Sequence, residues 1–353
     1  MIGQAVVIGG TGQVGRAIVS RLHGAGWTVL LVGRGTTPVP SEHAGLGFHR
    51  ADRTDTATLA AVLGDQTRLL VDCACFTAVH ARGLRELLPR VESTVMISSK
   101  AVYADDLGRH VNSADEPHFD APIRESEPTV APSDSDEWDS REGYGRCKVA
   151  AEQVLLDDGH PVTVLRPSKV HGAGATRPHE WVFVKRILDG RDVVLLAGRG
   201  RGADHPSGAE NLAALVEAVA GKPGRRILNA ADPDVPDGLA IARSIAAHFG
   251  HTWREVLLPD RLNTGAAASL GRHPWDRRPP IRLDMSAAAA LGYSPVGSYA
   301  ATIGPTLDWL AALARPGEHG HGLPDRFDVQ SIERMLDYTA EDHYLRHSTP
   351  PER

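Results

Sequence analysis

The run GGTGQVG at residues 9–15 constrains the fold of this chain more than any other feature. It follows the apolar stretch 5–8 and precedes an amphipathic helical pattern over 14–22. Glycines in such a turn lack Cβ, so the backbone can approach a pyrophosphate at the N-terminus of the next helix. The run therefore predicts a strand, a glycine turn and a helix that bind a nucleotide. The alternative is that the glycines serve packing alone.

Short apolar runs alternate with helical patterns over the first half of the chain. We expect strands near 4–9, 27–33, 46–50, 68–74, 93–98 and 161–166. We expect helices near 13–24, 55–64, 78–90 and 143–158. Continuous apolar strands separated by helices are typical of a parallel sheet that is buried on both faces. The pattern predicts an α/β fold with a doubly wound (Rossmann) sheet, whose ligands lie beyond the strand C-termini.

The later segments predict a smaller lobe, and a helix near 299–314 is expected to close the body of the chain. We expect residues 1–170 to form a dinucleotide-binding domain to which 207–231 return, and 171–206 with 232–315 to form a substrate lobe. Residues 316–353 are expected to form a linker and a C-terminal helical tail.

Two segments have less regular patterns. In the tail, 316–324 are expected to be a linker and about 326–346 one amphipathic helix, packed on the body or on a second subunit. The acidic, proline-containing segment 104–143 interrupts the alternation of strands and helices. Insertions of this length are either functional lids or disordered surface loops.

Composition narrows the class of protein. The 353 residues carry a net charge of −6 without a Lys/Arg run, which argues against nucleic-acid binding. No apolar stretch approaches the roughly 20 residues that span a bilayer, and the chain begins directly with a strand. Cys73, Cys75 and Cys147 lack zinc-ligand spacing and suggest reduced thiols, so we expect a cytoplasmic protein. Lysine is rare, with only five residues in the chain.

Tyr144 and Lys148 stand four residues apart in a helical pattern, so they share one helix face. A free tyrosine has a pKa of about 10, and lowering it by about three pH units takes about 4 kcal/mol. An ammonium at about 4 Å, in an effective dielectric near 20, supplies about that much. Such a pair can exchange a proton with a substrate oxygen near neutral pH. A chance pairing on a solvated helix is the alternative.

Ser99 ends the fifth expected strand, in the string ISSKAVY. A hydroxyl at a strand C-terminus of this sheet faces the ligand crevice and can hydrogen-bond the reacting oxygen. An isolated serine more commonly satisfies a loop backbone group. Together with Tyr144 and Lys148, Ser99 completes a candidate catalytic set.

At this point the chain resembles the extended short-chain dehydrogenase/reductases, the NAD-dependent epimerase/dehydratase family, over about residues 3–315. The motifs that carry the resemblance are GGTGQVG, ADRTD (51–55), ISSKAVY (97–103), PIRESEP (122–128), YGRCK (144–148) and LRPSKVHG (165–172). The resemblance implies that Ser99, rather than Ser98, is catalytic together with Tyr144 and Lys148. It also implies that Lys148 holds the nicotinamide ribose.

The resemblance also implies where a cofactor binds. Asp52 is expected near the adenine, and Pro167 is expected to line the nicotinamide pocket. The full cofactor-binding set that we expect is Gly9, Thr11, Gly12, Gln13, Val14, Arg34, Asp52, Arg53, Ala74, Lys148 and Pro167.

The chain also departs from its relatives. Sugar-nucleotide 4,6-dehydratases of this family carry an acidic pair after the catalytic hydroxyl, where this chain has Lys100-Ala101. We therefore do not expect dehydratase chemistry. The usual Asp-Leu-Ala element is Asn211-Leu212-Ala213 here. The segment around Trp181 and the VGRG ending of the second strand resemble a divergent, actinobacterial-type branch.

The second strand ends in Val32-Gly33-Arg34 and carries no acid to accept from a ribose 2′-hydroxyl before Glu42. Arg34 can instead bind a 2′-phosphate bidentately, with Arg16 as a helper. We therefore expect NADP(H) rather than NAD(H). A solvated loop arginine is the alternative for Arg34.

Smaller signals leave alternatives open. Candidates for lining a substrate pocket are His179, Trp181 and Lys185. The alternative is that they belong to the core of the lobe. A clamp for an anionic substrate is a second candidate, at Arg199 and Arg201. The alternative is that both are solvated loop arginines. Exposed histidines that bind no metal are expected at His319, His321, His343 and His347.

These observations favour an NADP-dependent oxidoreductase that transfers hydride to or from a carbonyl or secondary alcohol of a small polar metabolite. An epimerase with tightly bound NAD is the alternative enzyme. A nucleotide-sensing or scaffold protein without turnover is the alternative from another class. A homodimer is possible through the helices at 78–90 and 143–158, where relatives commonly dimerise.

Overall fold

The computed structural model describes residues 2–259, 270–318 and 320–347. Its strands are β1 (Gln4–Ile8), β2 (Thr28–Gly33), β3 (Gly47–Arg50), β4 (Thr67–Asp72), β5 (Ser93–Ile97), β6 (Val162–Pro167), β7 (Lys169–His171), β8 (Val193–Leu196), β9 (Pro206–Gly208), β10 (Arg226–Ala230), β11 (Arg254–Leu257), β12 (Arg315–Gly317) and β13 (Gly320–Gly322). Seven of them form a parallel sheet in the order β10-β6-β5-β4-β1-β2-β3.

The helices are α1 (Gln13–Gly24), α2 (Thr56–Leu63), α3 (Ala78–Arg85), α4 (Gly143–Leu156), α5 (Trp181–Leu188), α6 (Ala209–Ala220), α7 (Gly238–His248), α8 (Ser286–Ala290), α9 (Tyr299–Thr302), α10 (Gly304–Leu313), α11 (Gln330–Glu333) and α12 (Tyr338–His347). Short 3₁₀ turns occupy 41–43, 88–90, 100–102 and 197–200. Within the described ranges, no helix is both long and apolar enough to cross a bilayer.

Helices cover both faces of the parallel sheet, which confirms the predicted doubly wound fold. On one face, Ile18 of α1 and Val216 of α6 pack against Val7. On the other face, Leu84 and Leu155, from α3 and α4, belong to the cluster that covers the sheet. Because the strands are parallel, their C-terminal ends meet at one edge. Ile8 of β1, for example, is in register with the last residue of β4.

A second, smaller core lies beyond β6. Trp181 and Phe183 of α5 are fully buried against α7 and α10. The parallel pair β8–β11 adjoins this core, and the short pair β7–β9 follows directly from β6. We call the elements that enclose this second core the lobe.

The C-terminal tail differs from the predicted single helix over 326–346. The structure has two short helices, α11 and α12, because the side chain of Asp337 accepts a hydrogen bond from Ala340 N at 2.9 Å and starts a new helix. The predicted linker contains the antiparallel pair β12–β13. The tail packs on the body of the chain, where Glu341 is 1% exposed.

Two other helices are shorter than predicted. The helix expected over 78–90 ends at Arg85, and a 3₁₀ turn that contains Pro89 follows it. The helix expected near 299–314 is divided into α9 and α10, and Pro305 stands in the first turn of α10. In both places proline lacks the N–H that a continuous helix needs.

The segment 104–142 has no helix or strand along its length, but it packs on the lobe. Val111, Ile123 and Val130 are buried in one cluster with Leu283. Ile123 also forms a bridge with Leu283. The segment therefore contributes to the core beside the sheet edge.

Candidate functional site

The glycine turn has the geometry of an anion cradle. Gly9 has a φ of +77°, and Gly12 N donates to Gly9 O at 3.0 Å. A Cβ on Gly15 would lie 2.1 Å from the same oxygen, so only glycine fits there. Helix α1 begins at Gln13 without a side-chain cap and without an acid in its first turn. Its free N–H groups and its dipole therefore favour an anionic ligand.

A cavity of about 460 Å³ lies beside this turn. Three residues of the predicted cofactor set line it, namely Thr11, Gly12 and Gln13. The loop 36–40, which follows β2, forms another wall. Val14 instead packs against the sheet core. The cavity is consistent with the expected position of the pyrophosphate and its neighbouring ribose.

The far wall of the cavity comes from parts of the chain that were not predicted from the sequence to bind the cofactor. This wall is formed by Gly174, Thr176, Trp309, Arg326 and Phe327. Arg326 is exposed, and its guanidinium carbon lies 4.9 Å from the centroid of the adjacent Phe327 ring. The C-terminal tail therefore borders the site. No local motif around residue 326 indicated this role.

The predicted adenine end is built from polar loops. Asp52 is exposed and accepts from Thr54 N at 2.9 Å and Thr54 Oγ at 2.6 Å, which lowers the pKa of Asp52. Arg53 is instead bound in a buried ion pair with Asp72. Asp72 also accepts from Ala74 N at 2.7 Å. Arg53 and Ala74 thus meet at the end of β4.

The arginines predicted to read a 2′-phosphate separate into two environments. Arg34 is exposed at the end of β2. Arg16 forms an ion pair with Glu42. Glu42, the first acid after β2, is therefore already paired with an arginine. Arg34 stays exposed beside the loop 36–40. The side chain of Arg50 approaches the same loop, 3.6 Å from the position of a Cβ on Gly35.

Lys148 reaches the sheet edge from helix α4. Only 1% of the residue is exposed, and Nζ donates to Cys75 O at 2.7 Å and Ile97 O at 2.8 Å. An ammonium has three donors, so one N–H remains for a further partner. Nζ lies 6.0 Å from the centroid of the Tyr144 ring. Tyr144 and Lys148 thus occupy one helix face, as predicted from their spacing.

Ser99 lies on the element that α4 packs against. It caps the 3₁₀ turn at 100–102, and its Oγ accepts from Ala101 N at 3.2 Å. A Cβ on Gly145 would lie 2.3 Å from Ala101 O, so α4 approaches this turn at backbone distance next to Tyr144. The preceding Ser98 binds Glu152 in the interior instead.

Pro167 is buried at the end of β6, the strand that pairs with β5. Beyond it, Gln13 of the glycine turn donates to Gly172 O at 3.3 Å, and also to Val170 O. Gln13 thus connects the nucleotide turn with the start of the lobe.

An aromatic stack adjoins Lys148. Its Nζ lies 4.4 Å from the centroid of the Phe76 ring, and Phe76 stacks on Trp138 with centroids 4.6 Å apart. Trp138 belongs to the segment 104–142, so this segment reaches the candidate site. Neither aromatic residue was predicted from the sequence.

Sequence reasoning also missed the group formed by Lys100, Lys169 and Asp204. Lys100 and Lys169 both form ion pairs with Asp204, which is 1% exposed. The scarcity of lysine in this chain is the one signal that could have drawn attention to these positions. Their shared partner stands 35 residues beyond Lys169 and no motif marks it.

The remaining candidates divide between core and surface. Trp181 is a core residue with 0% exposure. Lys185 pairs with Asp189 at 2.9 Å, on the side of the lobe that faces the tail. His179 is half-buried, and burial together with the positive charges of Lys169 and its neighbours lowers the pKa of His179 well below its ordinary value. The exposed pair Arg199 and Arg201 flanks Gly200 in the turn after β8.

The histidines of the tail have different surroundings. His321 is half-buried and lies 3.1 Å from Asp189, so the prediction of an exposed ring was wrong for this residue. His343 and His347 are exposed and stack with centroids 4.2 Å apart. His319 lies outside the described residues. In the part of the chain that the structure describes, no group of three or more His, Cys, Asp or Glu is arranged to hold a metal.

The sequence profile of the NAD dependent epimerase/dehydratase family matches residues 5–203, more than half of the chain. The chain belongs to this family. Its Rossmann sheet and glycine turn are the corresponding structural features, and the family places it among NAD-dependent enzymes. No curated protein sequence matches the chain.

Solved structures of sugar-nucleotide enzymes share the fold of this family member. UDP-N-acetylglucosamine 4-epimerase from Bacillus cereus is 17% identical, with a TM-score of 0.65 over 88% of this chain and 99% of its own. UDP-glucose 4-epimerase from Thermotoga maritima, solved with UDP-glucose, is 16% identical, with a TM-score of 0.64 over 88% and 99%. dTDP-glucose 4,6-dehydratase from Bacillus anthracis, in complex with NAD, is 16% identical, with a TM-score of 0.64 over 88% and 97%.

Proposed function

We propose that this family member is an NADP-dependent oxidoreductase that moves hydride to or from a carbonyl or secondary alcohol of a small polar metabolite. The observation that carries the proposal is the packing of α4 on the sheet edge. That packing puts Tyr144 beside the turn capped by Ser99 and inserts Lys148 against Ile97 O. A phenol, an ammonium and an alcohol at one strand edge are the groups that carbonyl reduction requires.

Each group has a distinct role in this proposal. Tyr144 donates a proton to the substrate oxygen during reduction and accepts it during oxidation. Ser99 hydrogen-bonds the same oxygen and orients it. The ammonium of Lys148 attracts the negative charge that develops on the phenol oxygen, and its remaining N–H binds a ribose hydroxyl.

The residues present fit a nicotinamide dinucleotide. The uncapped N-terminus of α1 and the glycine turn suit a pyrophosphate, and the cavity of about 460 Å³ offers room beside them. The bound dinucleotide would supply or accept the hydride. The protein would orient the substrate, exclude water and transfer the proton through Tyr144.

Replacement of Tyr144 by Phe tests the catalytic role. We expect Tyr144→Phe to abolish oxidation of NADPH with a carbonyl panel, because the proton donor is lost. Dinucleotide affinity should stay within about twofold of the original, since the ring remains. Tyr344→Phe, in the tail, is the matched control and should retain activity. Unchanged turnover in Tyr144→Phe would reject this role.

We further propose that the cofactor is NADP(H). Arg34 is exposed at the end of β2, and the acid Glu42 is occupied by Arg16, so the loop favours a 2′-phosphate over a free hydroxyl pair. In a fluorescence titration we expect NADPH to bind more tightly than NADH. Arg34→Gln should weaken NADPH binding about tenfold, which corresponds to about 1.4 kcal/mol, and leave NADH unchanged. Tighter binding of NADH would overturn the assignment.

A sugar-nucleotide epimerase with tightly bound NAD is the second candidate. The fold matches just described favour it, because enzymes of this kind align with this chain over nearly their whole length. An epimerase oxidises and then reduces one carbon, so it must retain its dinucleotide. We expect an epimerase, but not the proposed reductase, to release stoichiometric NAD when the purified protein is denatured. Purification without nucleotide would count against the epimerase.

A further inference from the structure

Lys148 is a buried cation without an acidic partner in the described part of the chain. Its Nζ donates to Cys75 O at 2.7 Å and to Ile97 O at 2.8 Å, and only 1% of the residue is exposed. Asp72, at the end of β4, pairs with Arg53 instead. Burying a charge is costly unless neighbouring groups compensate for it. Two carbonyl oxygens supply part of this compensation, and the remaining contact of the ammonium is with an aromatic ring.

That ring belongs to Phe76. Its centroid lies 4.4 Å from Lys148 Nζ, within the range of a cation–π contact. The centroid of the Tyr144 ring lies 6.0 Å from the same Nζ. A ring face attracts an ammonium without cancelling its charge, whereas a carboxylate would weaken the field of the ammonium at the phenol. Phe76 therefore holds Lys148 and leaves its charge available to Tyr144.

The position of Phe76 is fixed at its backbone. Phe76 directly follows Cys75, so one stretch supplies both a carbonyl and a ring to Lys148. Phe76 N donates to His80 Nδ1 at 3.2 Å, and the two rings meet edge to face with centroids 6.4 Å apart. Burial lowers the pKa of His80, which favours the neutral ring that accepts this bond. His80 lies in the first turn of α3, where its N–H is capped by Thr77 Oγ1 at 3.2 Å.

Trp138 restrains the ring of Phe76 from the segment 104–142. The two rings stack with centroids 4.6 Å apart and an angle of 19° between their planes. All six tryptophans of the chain lie in the described ranges, and Trp138, at 38%, is the one that is exposed. Stacked aromatic rings attract each other beyond the effect of the area that they bury. Trp138 therefore supports Phe76 although its own outer surface stays in solvent.

The turn that carries Trp138 is bonded to the first turn of α4. Ser140 Oγ donates to Glu137 O at 2.8 Å and accepts from Gly143 N at 2.9 Å. Tyr144 N donates to Ser140 O at 3.1 Å. A Cβ on Gly143 would collide with Glu137 O, so the turn and the helix touch at backbone distance. Trp138 is thus held by the same stretch of backbone that carries the proposed catalytic phenol.

We propose that Phe76 is a positioning residue that fixes the ammonium of Lys148, and that Trp138 in turn fixes Phe76. Through this one side chain the segment 104–142 takes part in the work of the site. The inference rests on the proposed function for the role of Lys148 toward Tyr144 and the ribose. It does not depend on which metabolite is the substrate.

Phenylalanines with one, two and three ring fluorines, introduced at position 76, test the ring face itself. Fluorine withdraws electron density from the face and changes the size of the ring little, so the series weakens a cation–π contact in steps. We expect the affinity for NADPH and the kcat of carbonyl reduction to fall with each fluorine, by about tenfold over the series. The substrate KM should change less than about twofold, because Phe76 acts through Lys148. A ring that only fills space would give no trend.

Conventional variants complete this series. Phe76→Leu removes the ring and should lower both quantities about tenfold, whereas Phe76→Tyr keeps the ring face and should stay within about twofold of the original protein. Trp138→Ala removes only the support and should cost about threefold. Phe249→Leu removes another half-buried ring, one that packs on the core of the lobe, and is the matched control. It should leave both quantities unchanged.

The scarcity of lysine allows the ammonium to be observed without turnover. Protein labelled with ¹³C at lysine Cε gives five signals, and Lys148→Arg assigns the signal of Lys148. Because Nζ lies over the Phe76 ring, the Cε protons of Lys148 should be displaced upfield by the ring current. We expect Phe76→Leu to return them to the range of the exposed Lys222. Phe76→Tyr should retain the displacement.

The outcomes separate this inference from the proposed function. A displaced Lys148 signal that Phe76→Leu abolishes, together with weaker dinucleotide binding, supports the positioning role even where no carbonyl is turned over. Turnover and dinucleotide affinity that survive unchanged in Phe76→Leu, or a fluorine series without a trend, would retain the oxidoreductase and overturn the positioning role. A Lys148 signal that is the same with and without the ring would overturn it as well.

Discussion

At the residue scale, helix α4 presents two opposite charges to the sheet, one helical turn apart. Lys148 and Glu152 both point from α4 to the ends of the central strands, where Lys148 binds Ile97 O. Glu152 accepts from Arg166 Nη2 at 2.5 Å and from Nε at 3.1 Å, and it binds Ser98. Arg166 is 3% exposed, so this ion pair is buried immediately beneath the candidate catalytic groups.

The Glu152–Arg166 pair should contribute strongly to stability. We expect Glu152→Ala to lower the free energy of unfolding by about 3–5 kcal/mol, because the buried Arg166 would lose its carboxylate partner. Urea denaturation measures this change. Glu255→Ala removes the partner of Arg243 in an exposed pair and should cost less than about 1 kcal/mol. Equal losses in the two variants would contradict the argument.

At the element scale, Asp105 organises the start of the segment 104–142. Its carboxylate accepts from the backbone of Leu107 at 3.0 Å, Arg109 at 2.8 Å and His118 at 3.0 Å. Burial alone would raise the pKa of Asp105, but these hydrogen bonds and the Arg109 side chain outweigh it and lower the pKa to about 2.

Because the pKa of Asp105 is lower in the folded than in the unfolded protein, its ionised carboxylate stabilises the fold. This stabilisation is fully present above the unfolded pKa of 3.8 and is lost as the pH falls toward the folded pKa of about 2. We expect the stability difference between the original protein and Asp105→Asn to shrink progressively between about pH 5 and pH 2. Urea titrations at several pH values measure it. The exposed Asp65→Asn should show no such convergence, and a constant difference for Asp105→Asn would be incompatible with this role.

The tail contributes an arginine to the cavity at the glycine turn. Arg326 lines that cavity, whereas Arg334 is exposed on the same segment and does not line it. We expect Arg326→Gln to weaken dinucleotide binding about fivefold, or about 1 kcal/mol, because a cation near the phosphates is lost. Arg334→Gln should bind as the original protein does. Isothermal titration calorimetry compares the two, and equal affinities would remove Arg326 from the site.

At the scale of the whole molecule, the sequence predicted what depends on local patterns. The apolar strands and the glycine turn specify the parallel sheet, and the parallel strands bring Ser99 and the start of the lobe to one edge. The pairing of Lys169 with Asp204 could not be predicted, because it depends on how β7 and β9 meet. The tail was predicted as one helix because its apolar period continues through Asp337, whereas the structure begins a new helix there.

The same long-range packing should make the tail respond to the nucleotide. The cavity at the glycine turn has one wall from the sheet domain and another from Trp309 and the tail residues 326 and 327. A ligand at about 100 times its Kd stabilises the bound form by about 2.7 kcal/mol, and segments that line its site gain protection. We expect NADPH to slow amide hydrogen exchange over 323–336 as well as in the glycine turn.

Helix α7 lies in the same lobe core but does not line this cavity, so its amides serve as the internal control. Their exchange should slow only as far as global stabilisation requires. In Arg326→Gln, saturated with NADPH, the tail should lose part of its added protection while the glycine turn keeps it. Protection confined to the glycine turn in the original protein would mean that the tail packs beside the site without contacting the nucleotide.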